Sequence, residues 1–124
     1  MKNISEKELE LLNHLWNLKE GFLKEIIDCY EVNKPAYTTV STMLNRLIAK
    51  DIVGFKTYGR DKKYYPLVKK QTYFKRQFNQ TMNRFFNNSP SQFASFFTKE
   101  SDLTLEQLEE LRSLVDNEII KRKK

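Results

Sequence analysis

The sequence predicts a mainly α chain with a small β-hairpin: a winged helix-turn-helix domain over residues 1–68, then a helical region over residues 69–124. Three observations carry this reading. Apolar residues recur at three- and four-residue steps along most of the 124 residues, and only three Gly and three Pro interrupt them. Two runs of β-formers, Ile52 to Tyr58 and Lys63 to Leu67, flank the charged turn Gly59-Arg60-Asp61-Lys62. The net charge of +6 is unevenly placed: −3 over residues 1–33, +10 over 34–84, −5 over 85–118 and +4 over the last six. A concentrated positive middle is the electrostatic footprint of a polyanion-binding segment.

The first element opens at Ser5-Glu6-Lys7-Glu8, which has the spacing of a capping box, with Ile4 and Leu9 at the positions of a hydrophobic staple. The helix runs to about Leu18, burying Leu9, Leu12, Leu15 and Trp16, and Gly21 ends it. Phe22-Leu23 suits a short strand. A second helix from Glu25 to about Glu31 turns Ile26, Ile27 and Tyr30 inward, and Asn33-Lys34-Pro35 breaks the chain after it. His14 stands alone, without a second His or a carboxylate cluster, so no metal or catalytic role is assigned. The single cysteine, Cys29, excludes an internal disulfide and reads as a small packed side chain.

Residues 36–50 form the segment around which the rest is organised. At helical spacing Tyr37, Val40, Leu44, Leu47 and Ile48 share the buried side, while Thr38, Thr42, Asn45 and Ala49 share the other, flanked by Thr39 and Arg46. That exposed face carries hydroxyls, an amide and a guanidinium, and no carboxylate. Solvated helix faces mix charges of both signs, whereas small neutral donors and acceptors suit the polar floor of the DNA major groove. A helix that is merely Thr-rich is the plainer alternative. The helix stops at Lys50-Asp51, and the hairpin that follows carries Lys56, Arg60, Lys62 and Lys63 near its tip, with Pro66 ending the pairing. These four cations, with Lys34 and Lys50, are the candidate phosphate contacts.

Beyond Lys69 the pattern changes. Tyr73, Phe74, Phe78, Met82, Phe85 and Phe86 line one long helix. Ser89-Pro90-Ser91-Gln92 starts another, with Phe93, Phe96 and Phe97, and Thr104-Leu105-Glu106-Gln107 opens a last one with Leu105, Leu108, Leu111, Leu114, Val115 and Ile119. Stripes this wide in about 55 residues do not bury themselves well alone. A second copy of the chain is the expected cover, through Phe74, Phe78, Met82, Phe85, Phe93, Phe97, Leu108, Leu111 and Val115. An extension packed only on its own first domain is the alternative.

Together, Leu9 to Trp16, the run Pro35-Ala36-Tyr37-Thr38-Thr39-Val40-Ser41-Thr42-Met43-Leu44-Asn45-Arg46-Leu47, the wing end Tyr64-Tyr65-Pro66 and Leu108-Glu109-Glu110-Leu111 resemble the BlaI/MecI-type penicillinase and methicillin-resistance repressors, to which the CopY-type copper repressors are related. The resemblance covers nearly the whole chain. It implies a winged-helix domain with a helical dimerisation region, a homodimer that blocks transcription on a palindromic operator in double-stranded DNA, and, in several members, cleavage within the helical region triggered by a membrane-bound sensor protease. Carried over, it makes Thr38, Thr39, Thr42, Asn45 and Arg46 the base readers, with Ser41 at the edge. Three departures stand out. Ser41 occupies a place where some members have a basic residue, Phe96-Phe97 stands at the place of an Asn-Phe cleavage pair, and Asp51 replaces the usual Gly after the third helix. A copper switch needs a cysteine-rich C-terminus, which this chain lacks.

Other classes fare worse. No apolar run is long enough for a signal peptide or membrane span, and the N-terminus is charged (Met1, Lys2, Glu6, Lys7, Glu8), so the expected location is the cytoplasm, without membrane insertion. No Gly-rich phosphate loop, reactive Cys environment or spaced carboxylate pair argues for an enzyme, a metal or a cofactor. The main rival is a winged-helix module that binds another protein and not DNA.

Overall fold

The computed structural model describes residues 3–124; Met1 and Lys2, counted above in the charged N-terminus, lie outside the described residues. In order along the chain the elements are α1 (Glu6–Leu18), β1 (Gly21–Phe22), α2 (Leu23–Asp28), α3 (Tyr37–Ala49), β2 (Val53–Tyr58), β3 (Asp61–Pro66), α4 (Lys70–Phe85), α5 (Pro90–Glu100) and α6 (Leu105–Lys123). The chain divides into two compact units, one ending at Lys75 and the other spanning Arg76–Lys124.

In the first unit the capping box is formed. Ser5 Oγ accepts from the Glu8 amide at 3.1 Å, and Glu8 Oε1 accepts from the Ser5 amide at 2.9 Å. The end of α1 differs from expectation: Lys19, not Gly21, takes the left-handed position, with φ 73°, and its amide donates to the Leu15 carbonyl. Gly21 instead opens β1, where a Cβ would meet Leu18 Cδ1 at 3.0 Å. Its role is to admit a close packing partner. Helix α2 starts at Leu23, earlier than its polar residues suggested, because Glu25 reaches back to accept from the Phe22 amide at 2.9 Å.

The three strands form one antiparallel sheet in the order β1-β3-β2. Tyr58 pairs with Asp61, so the turn narrows to Gly59-Arg60, with Gly59 at φ 62°. Asp61 and Lys62, expected in the turn, belong to β3, since a two-residue turn opening on a positive-φ Gly matches the twist of the strands. Beneath the sheet lies a core of fully buried Leu11, Leu12, Leu15, Ile26, Val40, Leu44 and Leu47, joined by Ile52, Val53 and Tyr64. Each such leucine contributes about 1.5–3 kcal/mol by leaving water. Leu9 and Trp16 are only partly buried, and Leu11 holds the central place on α1. The Trp16 indole N–H donates to the Val68 carbonyl at 2.8 Å, and its ring lies 5.9 Å from that of Tyr73 and 6.0 Å from that of Phe74, tying the start of α4 to α1.

In the second unit aromatic rings join α4 to α5. Phe93 meets Phe78 at 5.3 Å, Phe86 at 5.5 Å and Phe97 at 5.8 Å, and Met82 is buried. Asn87 and Asn88, both in the left-handed region, reverse the chain after α4, with the Asn88 amide returning to the Met82 carbonyl at 2.9 Å. Ser89 caps α5 through the Gln92 amide, with Pro90 following, and Thr104 with Gln107 completes a capping box on α6. Neither α5 nor α6 has a buried residue.

Candidate nucleic-acid interface

Helix α3 presents the face its sequence promised. Val40, Met43, Leu44 and Leu47 point into the core, while Thr38, Thr39, Thr42, Asn45, Arg46 and Ala49 are exposed and Ser41 is half-buried at the edge. Tyr37 corrects the earlier assignment: it is the first residue of the helix, 56% exposed, and Met43 takes its place inside. The Thr42 hydroxyl donates to the Thr38 carbonyl at 2.8 Å, which uses its hydrogen and leaves the oxygen free to accept. Asp51 takes φ 60°, a left-handed conformation that a Gly adopts without strain, and its amide donates to the Ile48 carbonyl.

Two concavities flank this face. One, about 370 Å³, is lined by Ser5 and Lys7 of α1 together with Thr38, Thr39, Thr42 and Arg46. The other, about 550 Å³, joins Tyr37 at the start of α3 to Arg60 and Lys62 of the wing, with Lys24 of α2 on its wall. Lys7, Lys24 and Tyr37 are therefore members of the surface that sequence reasoning missed. The two lysines sit in an N-terminal third whose net charge is negative, so the block average hid them.

The six cations assigned to phosphate differ in freedom. Arg60 is exposed at the hairpin tip, and Lys62 lies over the Phe55 ring, 4.6 Å from its centroid. Lys56 stands 6.0 Å over the Tyr65 ring, opposite Gly54, where a Cβ would strike that ring at 2.9 Å. Lys63 pairs with Glu20 at 3.1 Å, and this hydrogen bond raises its ammonium pKa. Lys34 donates to the Asp28 carbonyl at 3.2 Å and to that of Ile27, capping the C-terminus of α2. Lys50 is the most committed. Its ammonium, on a side chain 24% exposed, donates to Glu8 Oε1 at 2.9 Å and to the Asn3 carbonyl at 2.8 Å. Burial works against the Glu8 charge, but the Ser5 amide and Lys50 outweigh it and hold the carboxyl below its ordinary range. This pair ties the end of α3 to the start of α1.

His14 packs its ring on Tyr30 at 4.4 Å, and burial, with Glu10 nearby, pushes the Tyr30 phenol up to about 12. Both are parts of the packed interior edge, remote from α3's exposed face in role. Among the described residues no helix is long and apolar enough to cross a membrane.

Known proteins match this architecture along its length. The family model described as "Penicillinase repressor" matches residues 4–117. A penicillinase repressor of Bacillus licheniformis is 28% identical over 116 residues, covering 91% of this chain and 89% of that protein. The methicillin resistance regulatory protein MecI of Staphylococcus aureus (strain N315) is 25% identical over 114 residues, covering 91% and 93%. The solution structure of the DNA-binding domain of the repressor BlaI superposes with a TM-score of 0.51 at 30% identity, covering 59% of this chain and 94% of that domain. A MarR mutant from E. coli, at 14% identity and a TM-score of 0.52, shares the fold. The chain belongs to the penicillinase repressor family, a family of DNA-binding transcriptional repressors.

Proposed function

We propose that the chain acts as a homodimer on a palindromic operator, each copy placing α3 in the major groove. The observation that carries this is the exposed face of α3: hydroxyls, one amide and one guanidinium, without a carboxylate, between two cation-bearing concavities. In this reading Thr38, Thr39, Ser41, Thr42, Asn45 and Arg46 face the bases, with Arg46 suited to guanine and Asn45 to adenine. Arg60, Lys62, Lys56 and Lys63 hold phosphate beside the groove and Lys34 approaches it from the end of α2, while Lys50 acts chiefly by holding α3 to α1. The protein works by occupying DNA in the cytoplasm and not by catalysis.

The apolar stripes of α4 to α6 supply the pairing surface, so residues 1–68 read and residues 69–124 pair. Phe78, Phe85, Phe96, Leu114, Val115, Ile119 and Ile120 all lie 46–69% exposed in the single chain, far more than a stripe packed only on its own domain would show. Induction by a sensor protease cutting near Phe96-Phe97 requires local opening, because both residues lie within the helical span of α5.

A fluorescence anisotropy titration of a palindromic duplex tests the reading. About six phosphates neutralised per half-site give a log–log slope against salt of roughly −5 per half-site. A salt-independent affinity, or equal affinity for palindrome and scrambled duplex, contradicts it.

A further inference from the structure

A third concavity in the first unit lies away from the face of α3. It holds about 620 Å³, within the roughly 300–1,000 Å³ of small-molecule sites, and sits between the end of α1, the base of the wing and the segment leading into α4. Trp16, Tyr65, Pro66, Leu67 and Val68 give it an apolar and aromatic lining, to which Asn17 adds an amide. The lining also holds four lysines, Lys19, Lys56, Lys69 and Lys70. Among the described residues none of the four has a carboxylate within salt-bridge distance, and the one acid in the lining, Glu20, is already held by Lys63 at 3.1 Å.

The wall chemistry selects the ligand. The Trp16 indole N–H is spent on the Val68 carbonyl at 2.8 Å, so Trp16 offers the cavity apolar surface and no donor. Recognition by the apolar lining is therefore through burial of a ring, and recognition by the lysines is through charge. A bare inorganic anion leaves the apolar lining uncovered, and a neutral ring leaves the lysines unanswered. We propose that this cavity binds a small aromatic carboxylate, its ring among Trp16, Pro66 and Val68, its carboxylate among Lys56, Lys69 and Lys70. Because Lys56 also belongs to the wing, a carboxylate drawn to it competes with DNA phosphate; this coupling rests on the reading of the wing given above.

The site is tested without DNA by following the indole N–H resonance of Trp16, the single tryptophan of the chain, in the full-length protein. The probes are 2-naphthoate, 2-naphthylmethylamine and sulfate. 2-Naphthoate should move the resonance saturably with Kd of about 1 mM or tighter, and the amine and sulfate should not. The Lys69→Gln/Lys70→Gln variant, whose free resonance stays in place if its fold is intact, should weaken 2-naphthoate at least about fivefold. No saturable shift, an equal response to the amine or to sulfate, or undiminished binding by the variant overturns the site. In a second arm, 2-naphthoate should weaken binding to the palindromic duplex at least about fivefold. Binding at Trp16 without that loss overturns the Lys56 link and leaves the site standing.

Discussion

The two units of this chain use the same sequence device to opposite ends. In the first, apolar residues at helical spacing on α1, α2 and α3 converge on one core, and Leu11, Leu12, Leu15, Ile26, Val40, Leu44 and Leu47 are wholly removed from water. In the second, α5 and α6 also carry apolar residues at three- and four-residue steps, those of α6 spread more widely round the helix, yet Leu105 stays 72% exposed, Leu114 59% and Ile120 59%. A periodic stripe says that a face is to be buried; it does not say by what. Where β1, β3 and three helices close around the stripe, the unit is complete in one chain. Where aromatic edges such as Phe78 on Phe93 hold α4 to α5, the apolar faces of α5 and α6 stay open in the single chain.

The largest effect that can break this contrast is expected on α6. Replacing Leu114 and Val115, exposed in the single chain, with Asp should leave the circular dichroism of the chain unchanged and cost operator affinity about 10²–10⁴-fold, because two linked half-site contacts become independent. An unchanged affinity would mean that these faces are simply solvated. In the first unit the same kind of residue behaves differently. Leu44→Ala leaves a cavity in a closed core and should cost about 2–5 kcal/mol in urea denaturation; a cost under about 1 kcal/mol would show that this core collapses easily.

Much of both units was readable from local spacing. The Ser5/Glu8 and Thr104/Gln107 boxes and the Ser89-Pro90 start all depend on residues within four positions of each other, and each formed as read. The misses are non-local or lie at element ends. Tyr37 has the right phase to be buried, but as the first residue of α3 it has nothing above it, and Met43, assigned to neither face, fills the core instead. Lys50 reads as a free cation because its partner Glu8 is 42 residues away. Lys7 and Lys24 reach the α3 surface by tertiary packing that no charge count along the chain reveals.

Smaller effects sharpen the same contrast. Arg46→Ala removes an exposed group from a helix whose inner face is untouched, so stability should hold while discrimination between operator and non-operator DNA falls by about 1–3 kcal/mol, read by competition titration. Glu8→Gln probes the strut behind α3. The Glu8 carboxyl is depressed in the folded chain, so its contribution is present above its ordinary value of 4.5 and lost as pH falls through the folded pKa. The stability gap between wild type and variant, about 1–3 kcal/mol near neutrality, should therefore close below that value in denaturation curves taken from pH 7 to 3. A gap independent of pH would show that Lys50 stabilises by packing alone.

Sedimentation equilibrium of the free chain tests most directly whether the second unit is completed by a second copy. At tens of micromolar protein the mass should be twice the 14.9 kDa of one chain and should fall toward one chain in the Leu114→Asp/Val115→Asp variant. A wild-type mass of 14.9 kDa across that concentration range would contradict the account.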